Sequence, residues 1–397
     1  DHCLEKGISI FSVGFGDPLL GQLDLPLLQS LATTESGFFQ VTNTDLGLSK
    51  YFVNALSGAL NLDVVVDPIA TVSAESSYSL DVPLTSLDST ATFIVANQSD
   101  SQHVAVTLTS PDGLMWTQGT INEWATDLKF FPIQYSQDNS NTVVEVNLLG
   151  LQQFGVDVTG TWKLGVAADL QYSKVPTSLP AQNGEIQFMA SVIGQSALNA
   201  SIAQLGDGGA QAVVSGSVPL SVSLPASVLH AEVNAKITTS ELLSDAIPEF
   251  LENHDELARE YANVIKNPNL IDLDLYKSLQ ADHNFELGTL THDLELQQAA
   301  DGIYQADFIP TTPGVHEVVF DIKGVNKGLL DECENFSREM TASFNVSPSD
   351  SSPDDGDWYD NDYFTPRGDS FTGPMTNGFG QPAVSNLTSD DELCGCS

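Results

Sequence analysis

Ile8-Ser9-Ile10-Phe11-Ser12-Val13-Gly14-Phe15 is the stretch on which the fold turns. It is short, β-branched and aromatic, and glycine sits near its end, which is the pattern of a buried strand. Just beyond it, Asp24-Leu25-Pro26-Leu27-Leu28-Gln29-Ser30-Leu31-Ala32 offers an acidic N-cap, a proline in the first turn and leucines at helical spacing, and Gly37 would end that helix. Phe38-Phe39-Gln40-Val41-Thr42 reads as a second strand. Leu46 to Leu60 reads as a second helix, with apolar positions 48, 52, 53, 56 and 60 on one face. Strand, helix, strand, helix implies a parallel α/β layer.

The same residues carry a resemblance. Lys6-Gly7, Val13-Gly14-Phe15-Gly16, Leu28 to Ala32 and Gly37-Phe38-Phe39 are similar, in order and spacing, to the C-terminal third of a von Willebrand factor type A domain, over residues 1–62. The resemblance implies a partial Rossmann-like sheet. It also implies ligand binding through a metal-ion-dependent adhesion site, whose Asp-x-Ser-x-Ser loop, threonine and second aspartate all precede the strand at which this sequence opens. No residue here is assigned to that site. Cofactors are therefore expected to be none in this segment, with Mg²⁺ or Ca²⁺ belonging to the intact type A domain. The opening Asp1-His2-Cys3 falls in mid-element and reads as the start of a fragment.

From Asp63 the pattern changes to alternation. Ser79 to Pro83, Ala91 to Ala96, Val104 to Thr109, Asp127 to Ile133, Thr142 to Leu148 and Gly160 to Val166 read as short strands, with Pro111-Asp112-Gly113 as a turn. They fit a β-sandwich over 63–172. Gly160-Thr161-Trp162-Lys163-Leu164-Gly165-Val166 is similar to the closing strand of extracellular sandwich modules that follow type A domains in hemicentin-like and calcium-activated-chloride-channel-regulator-like proteins, and Trp162 reads as a core plug.

A second alternating region, expected over 185–346, begins with Ile186 to Ile193 and Ser196 to Ile202. It runs on through Ala212 to Val218 and Val228 to Ile237, then resumes at His292 to Gln297, Gly302 to Ile309 and Gly314 to Ile322. Residues 240–279 are rich in helix formers and read as a helical insertion. Asp301 to Phe308 with Thr312-Pro313-Gly314 resembles paired strands of late sandwich modules in those same proteins. Residues 347–397 turn to Asp, Ser, Gly and Pro and are expected to be a disordered acidic tail.

Charge narrows the function. Thirteen basic against 53 acidic residues leave a net charge of −40, and no basic cluster exists to neutralise phosphates, so nucleic acid is excluded as a partner. No apolar run is long enough to span a bilayer. The four cysteines, Cys3, Cys333, Cys394 and Cys396, are too few and scattered for a disulfide framework or a zinc knuckle pair. There is no His-Glu-x-x-His pair, nucleophile elbow or phosphate loop, and carboxylate pairs such as Asp272 and Asp274 are what this composition scatters everywhere. Asp354 to Asp362 lacks the positions of a calcium loop, and the Asn-x-Ser/Thr matches at Asn97, Asn199, Asn335, Asn345 and Asn386 are what a Ser- and Thr-rich chain produces by accident. Arg367-Gly368-Asp369-Ser370 matches integrin-recognition peptides and is the one binding motif in the tail.

The expected architecture is thus multi-domain, α/β plus mostly β: a partial Rossmann-like type A domain followed by two Ig-like β-sandwiches, the second with a helical insertion. The expected role is binding, adhesion or scaffolding at the cell surface or outside the cell, without enzymatic activity in this segment and with a protein or matrix ligand as partner. Two rivals stand beside it: the non-catalytic C-terminal region of a secreted metalloprotease of regulator type, and a structural spacer or envelope assembly protein.

Overall fold

The computed structural model describes residues 10–16, 23–32, 39–73, 76–98, 103–127, 131–138, 140–169, 185–205, 212–267, 270–271 and 273–347. Among them the chain is mostly β, with several sheets and few helices. It divides into a unit spanning Asp1–Ser349 and a second unit, Asp350–Ser397, that lies outside the described residues. The expected acidic tail falls almost wholly there.

Strands β1 (Ser12–Phe15) and β2 (Phe39–Thr42) pair in parallel, Ser12 opposite Phe39 and Phe15 opposite Thr42. Helix α1 (Leu25–Leu31) lies between them in sequence, and Asp24 Oδ1 accepts from the Leu27 amide as its N-cap. Helix α2 (Asp45–Leu60) follows. Thr44 caps its start through the Gly47 amide, and Asn61 ends it in the left-handed region at φ 53°.

Only part of the expected apolar face of this second helix turns inward: Val53 packs with Leu46 against Ala96 and Met189. α2 buries Leu46, Gly47, Tyr51, Asn54 and Ser57, whereas Phe52, Leu56 and Leu60 are 61%, 50% and 59% exposed. The reason lies in what the inner face meets, which includes buried polar groups of the β-regions that Lys50 and Tyr51 partner.

The first β-region has two antiparallel sheets around one core. One sheet contains β3 (Asp63–Val66), β4 (Ile69–Val72), β6 (Thr90–Asn97), β9 (Ile133–Gln137), β10 (Asn141–Asn147) and β12 (Ile186–Gly194); the other contains β5 (Ser77–Leu84), β7 (Val104–Thr109), β8 (Met115–Thr117) and β11 (Gly160–Ala168). Inward residues of both, among them Phe93, Val144 and Phe188 against Val82, Leu108 and Leu164, share the core. Trp162 is fully buried there, tilted against Phe93 at 6.2 Å, and its Nε1–H donates to the Val158 carbonyl at 2.9 Å.

Three expectations fail in this region. Ile186 to Ile193 was expected to open the second β-region, but β12 pairs with β3, β4 and β6 in the first. It is covered on both sides, by the sandwich core through Phe188 and Val192 and by α2 through Met189, so its near-continuous apolar run gave no sign of which neighbour it joins. Asp127 to Ile133 is not a strand: helix α3 (Gln118–Asp127) ends where that strand was expected to begin, and β9 starts only at Ile133. A further short helix, α4 (Leu148–Gln153), capped by Asn147, ends the expected Thr142 to Leu148 strand one residue early.

The second β-region is one curled sheet. Its path is β13 (Ser201–Leu205), β15 (Val218–Ser223), β18 (Ile303–Phe308), β17 (Thr289–Ala300), β16 (Val228–Ser240), β19 (Gly314–Lys327), β20 (Cys333–Ser347) and β14 (Ala212–Val213). The expected strand at Ser196 to Ile202 starts only at Ser201. β17 makes the corner: Thr289 to Leu296 pair with β16, and Gln297 to Ala300 pair with β18 across a bulge. The two halves then enclose a core that includes Leu220, Val233, Val318, Phe320 and Phe344. Between β16 and β17 stand α5 (Leu243–Glu252), α6 (Asp255–Glu260), α7 (Ala262–Lys266) and α8 (Leu273–His283), gathered on their own core of Ile247, Leu251, Tyr276, Leu279 and Phe285. The expected helical insertion is therefore seen, and its last helix extends beyond residue 279.

Candidate functional site

The chain has 13 basic residues, and two of them are sunk where the α/β layer and the β-regions meet. Arg338 lies in β20 at the same strand parity as Phe336, Phe344 and Val346, that is, at a position the alternation reserves for apolar residues. Its side chain is 1% exposed. Nε donates to Asp63 Oδ2 at 2.9 Å, Nη2 to Asp88 Oδ1 at 2.5 Å and to Ser196 Oγ at 3.0 Å, and Nη1 to the Ser337 carbonyl at 2.8 Å. Asp88 is fixed in turn, since its Oδ2 accepts from the amide and hydroxyl of Thr85. The guanidinium thus closes the seam between the first and second β-regions with charge-assisted bonds. Burial pushes the Asp63 carboxyl upward, and Arg338 only partly offsets that.

The second cation, Lys50 of α2, donates to the Asp67 carbonyl at 2.9 Å and stands 3.5 Å from both Asp67 Oδ2 and Glu339 Oε1. Asp67 follows β3 and is fully buried; Ser191 of β12 donates to its Oδ1, and its Oδ2 has no hydrogen-bond partner. Next to Lys50, the Tyr51 hydroxyl donates to Glu317 Oε1 of β19 at 3.1 Å. Burial pushes Asp67 up to about 7 against the pull of Lys50 and Ser191, with Glu339 adding to the rise. Burial draws Lys50 down, but Asp67, Glu339 and Glu317 more than offset it and keep the ammonium charged.

Further hydrogen bonds extend the seam. Gln40 Oε1 of β2 accepts from Ser343 Oγ at 3.0 Å, Gln29 Oε1 of α1 accepts from the Asn345 amide at 3.2 Å, and Glu334 Oε2 accepts from the Ser86 amide at 2.9 Å. Beside it a cleft of about 620 Å³ opens between Val66, Leu80 and Pro83 on one wall and Lys236, Asp293 and Lys323 on the other. Glu339 also lines it, so the cleft and the Lys50 cluster share that residue.

None of the residues in this junction was singled out from the sequence. The one readable signal was Arg338, a rare cation at an inward strand position; Asp63, Asp67 and Asp88 are indistinguishable from the other acids of so acidic a chain. The Arg367-Gly368-Asp369 motif lies outside the described residues, as do Asp272, Cys3, Cys394 and Cys396. Cys333, at the start of β20, is disulfide-bonded. Among the described residues no group of three or more His, Cys, Asp or Glu is placed to hold a metal ion, and no helix is long and apolar enough to cross a membrane.

No family model and no curated protein matches the chain. Solved structures give distant likenesses. A DUF4785-family protein from Legionella pneumophila is 7% identical at a TM-score of 0.32, covering 72% of this chain and 65% of its own. The Bacillus licheniformis lipase BlEst2 in its propeptide form is 12% identical at 0.33, covering 86% and 60%. A membrane-anchored protein described from Corynebacterium diphtheriae is 7% identical at 0.18, covering 74% and 60%. The chain spans less than two thirds of the length of each. At these TM-scores the likenesses carry no argument about fold or activity.

Proposed function

We propose that this chain is part of an extracytoplasmic binding or adhesion protein, in which a type A domain with its metal site upstream of these residues presents ligand-binding loops and Ig-like β-modules carry it. The observation that bears most weight is the seam itself. A parallel strand–helix–strand–helix unit is held by Lys50 to both β-regions, and Arg338 holds those regions to each other, which suits a stiff arm that fixes the direction of a binding head. The exposed row Phe52, Leu56 and Leu60 fits an α/β layer that more polypeptide would cover. The disulfide-bonded Cys333 fits an oxidising compartment.

The test is solid-phase binding. A polypeptide extended upstream to include an Asp-x-Ser-x-Ser loop is expected to bind an extracellular-matrix or cell-surface protein in Mg²⁺, and to lose that binding in EDTA. Residues 1–397 alone are expected to bind none. An upstream sequence without that loop, or binding indifferent to EDTA, would sink the adhesion reading. The same seam, taken without the binding head, favours the structural spacer.

A further inference from the structure

Beside the helical insertion, the inner face of the second β-region ends in a layer of two histidines and two phenylalanines. His292 of β17 stands opposite Ile237 of β16, and His316 of β19 stands opposite Thr239 of β16 and Phe344 of β20. His316 is stacked on Phe344 at 5.2 Å and 13°, and Phe308 of β18 lies against both imidazoles, 5.8 Å from His316 and 5.6 Å from His292. His316 is 1% exposed. Just beyond this layer Ser240 and Thr289 end the ladder, and the Glu241 amide donates to the Gly288 carbonyl at 3.0 Å, closing the root from which α5 to α8 spring.

No counter-charge meets these rings. Asp293, Glu317 and Asp307 adjoin His292, His316 and Phe308 in sequence but fall on the opposite face of their strands, as does Lys236 of β16. The nearest charged group on the inner face of β20 is Arg338, six positions from Phe344 and bound to Asp63 and Asp88; the inner face of β18 adds only the Tyr304 hydroxyl. At the root the Glu241 carboxyl lies against Gly288, and among the described residues neither imidazole pairs with a carboxylate. The one bond His316 makes, from Nδ1–H to the Gly314 carbonyl at 3.2 Å, is open to the neutral ring as well.

A proton taken up by His316 in the closed layer creates a cation without water, without a counter-ion and with a second imidazole close by. The face of Phe344 favours an imidazolium, but ring-face attraction returns only a fraction of the hydration that burial removes. Separating the strand ends hydrates His316 and parts it from His292, so the open form binds the proton more tightly than the closed one. We propose that His316 and His292 form an acid-opened gate at the root of the helical insertion, closed while both rings are neutral and loosened by proton uptake. Burial draws His316 below its ordinary 6.5, the Gly314 carbonyl opposes, and His292 adds to the fall. The closed form therefore has its full advantage above about pH 6.5 and loses it as pH falls, the opening equilibrium shifting by at most about tenfold per pH unit for each proton taken up.

Amide hydrogen exchange of the full chain, corrected for intrinsic rates, reads the gate at residues 236–240 and 289–293. Protection there is expected to hold from about pH 8 to about pH 6.5 and then to fall toward about pH 5, while β6 and β11 keep theirs. His316→Phe, which leaves an uncharged ring in the layer, is expected to give a flat profile. His292→Gln, at a partly exposed position, removes the neighbouring like charge and is expected to move the onset to higher pH. A wild-type profile that stays flat down to about pH 5 overturns the gate. So does a His316→Phe profile with the wild-type slope, an onset that His292→Gln leaves in place, or a loss of protection that β6 and β11 share equally.

Discussion

Arg338→Met removes the guanidinium and keeps much of the side-chain volume, so its effect isolates charge from packing. In the wild type this guanidinium reaches Asp63 at 2.9 Å and Asp88 at 2.5 Å, and all three groups are buried. Without it two carboxylates share a dry site with no counter-ion. Removing one side of a buried ion pair costs about 3–5 kcal/mol, far more than the pair itself contributes relative to a well-packed apolar substitute. Part of the loss is recoverable by protonation, because burial already pushes Asp63 upward and the missing Arg338 would let it rise further. The deficit in urea-melt stability, followed by intrinsic fluorescence, is therefore expected to be about 3–5 kcal/mol at pH 7 and to shrink as the pH falls toward 5. The triple variant Asp63→Asn, Asp88→Asn, Arg338→Met should recover most of it, since the amide carbonyl that replaces the Asp88 carboxylate can still accept from Thr85. A loss below about 1 kcal/mol, or a triple variant as unstable as the single one, refutes the assignment of Arg338 as the charged seal of the seam.

Three other outcomes follow from packing and burial. Trp162→Ala, at a fully buried ring whose Nε1–H is bonded to Val158, should cost about 3–5 kcal/mol in the same urea melts; a loss under about 1 kcal/mol would mean that the first β-region is not organised around it. His316 is buried against Phe308 and stacked on Phe344 at 5.2 Å, and burial, with His292 nearby, lowers its pKa below 6.5 despite the Gly314 carbonyl that accepts from Nδ1–H. Because the unfolded chain then binds the proton more tightly, the contribution of His316 to stability should drop as pH falls below about 6.5, and the difference between His316→Phe and wild type in pH-dependent thermal melts should isolate that component. Replacing Phe52, Leu56 and Leu60 together by Gln should change stability by no more than about 0.5 kcal/mol per site while reducing binding of an apolar dye, because the row faces outward; a cooperative loss of helix α2 by circular dichroism would show that it is packed.

The type of most elements was legible in local pattern. Alternation marked β6, β7, β11 and the two strands over 303–322, though these two pair with other strands and not with each other, and an acidic cap with a first-turn proline marked α1. Helix formers marked the insertion between β16 and β17. α3 and α4 were missed because each is short, Gln118–Asp127 and Leu148–Gln153, which leaves too few turns for a sequence pattern to stand out. The candidate site was almost wholly illegible, since an aspartate that ends in a buried ion pair looks like any other in a chain with 53 acidic residues.

By itself, then, the sequence determined what is local: where the backbone extends or coils, where it turns, and which basic residues exist to be used. Partners at long range were decided only in three dimensions. Asp63 and Arg338 meet across 275 positions, β12 crosses to the first β-region, and α2 sets Lys50 and Tyr51 inward beside Leu46, where Asp67, Glu317 and Glu339 meet them. The physical reason is that side-chain period fixes which residues share a face, whereas the sign of that face depends on what the rest of the chain brings against it.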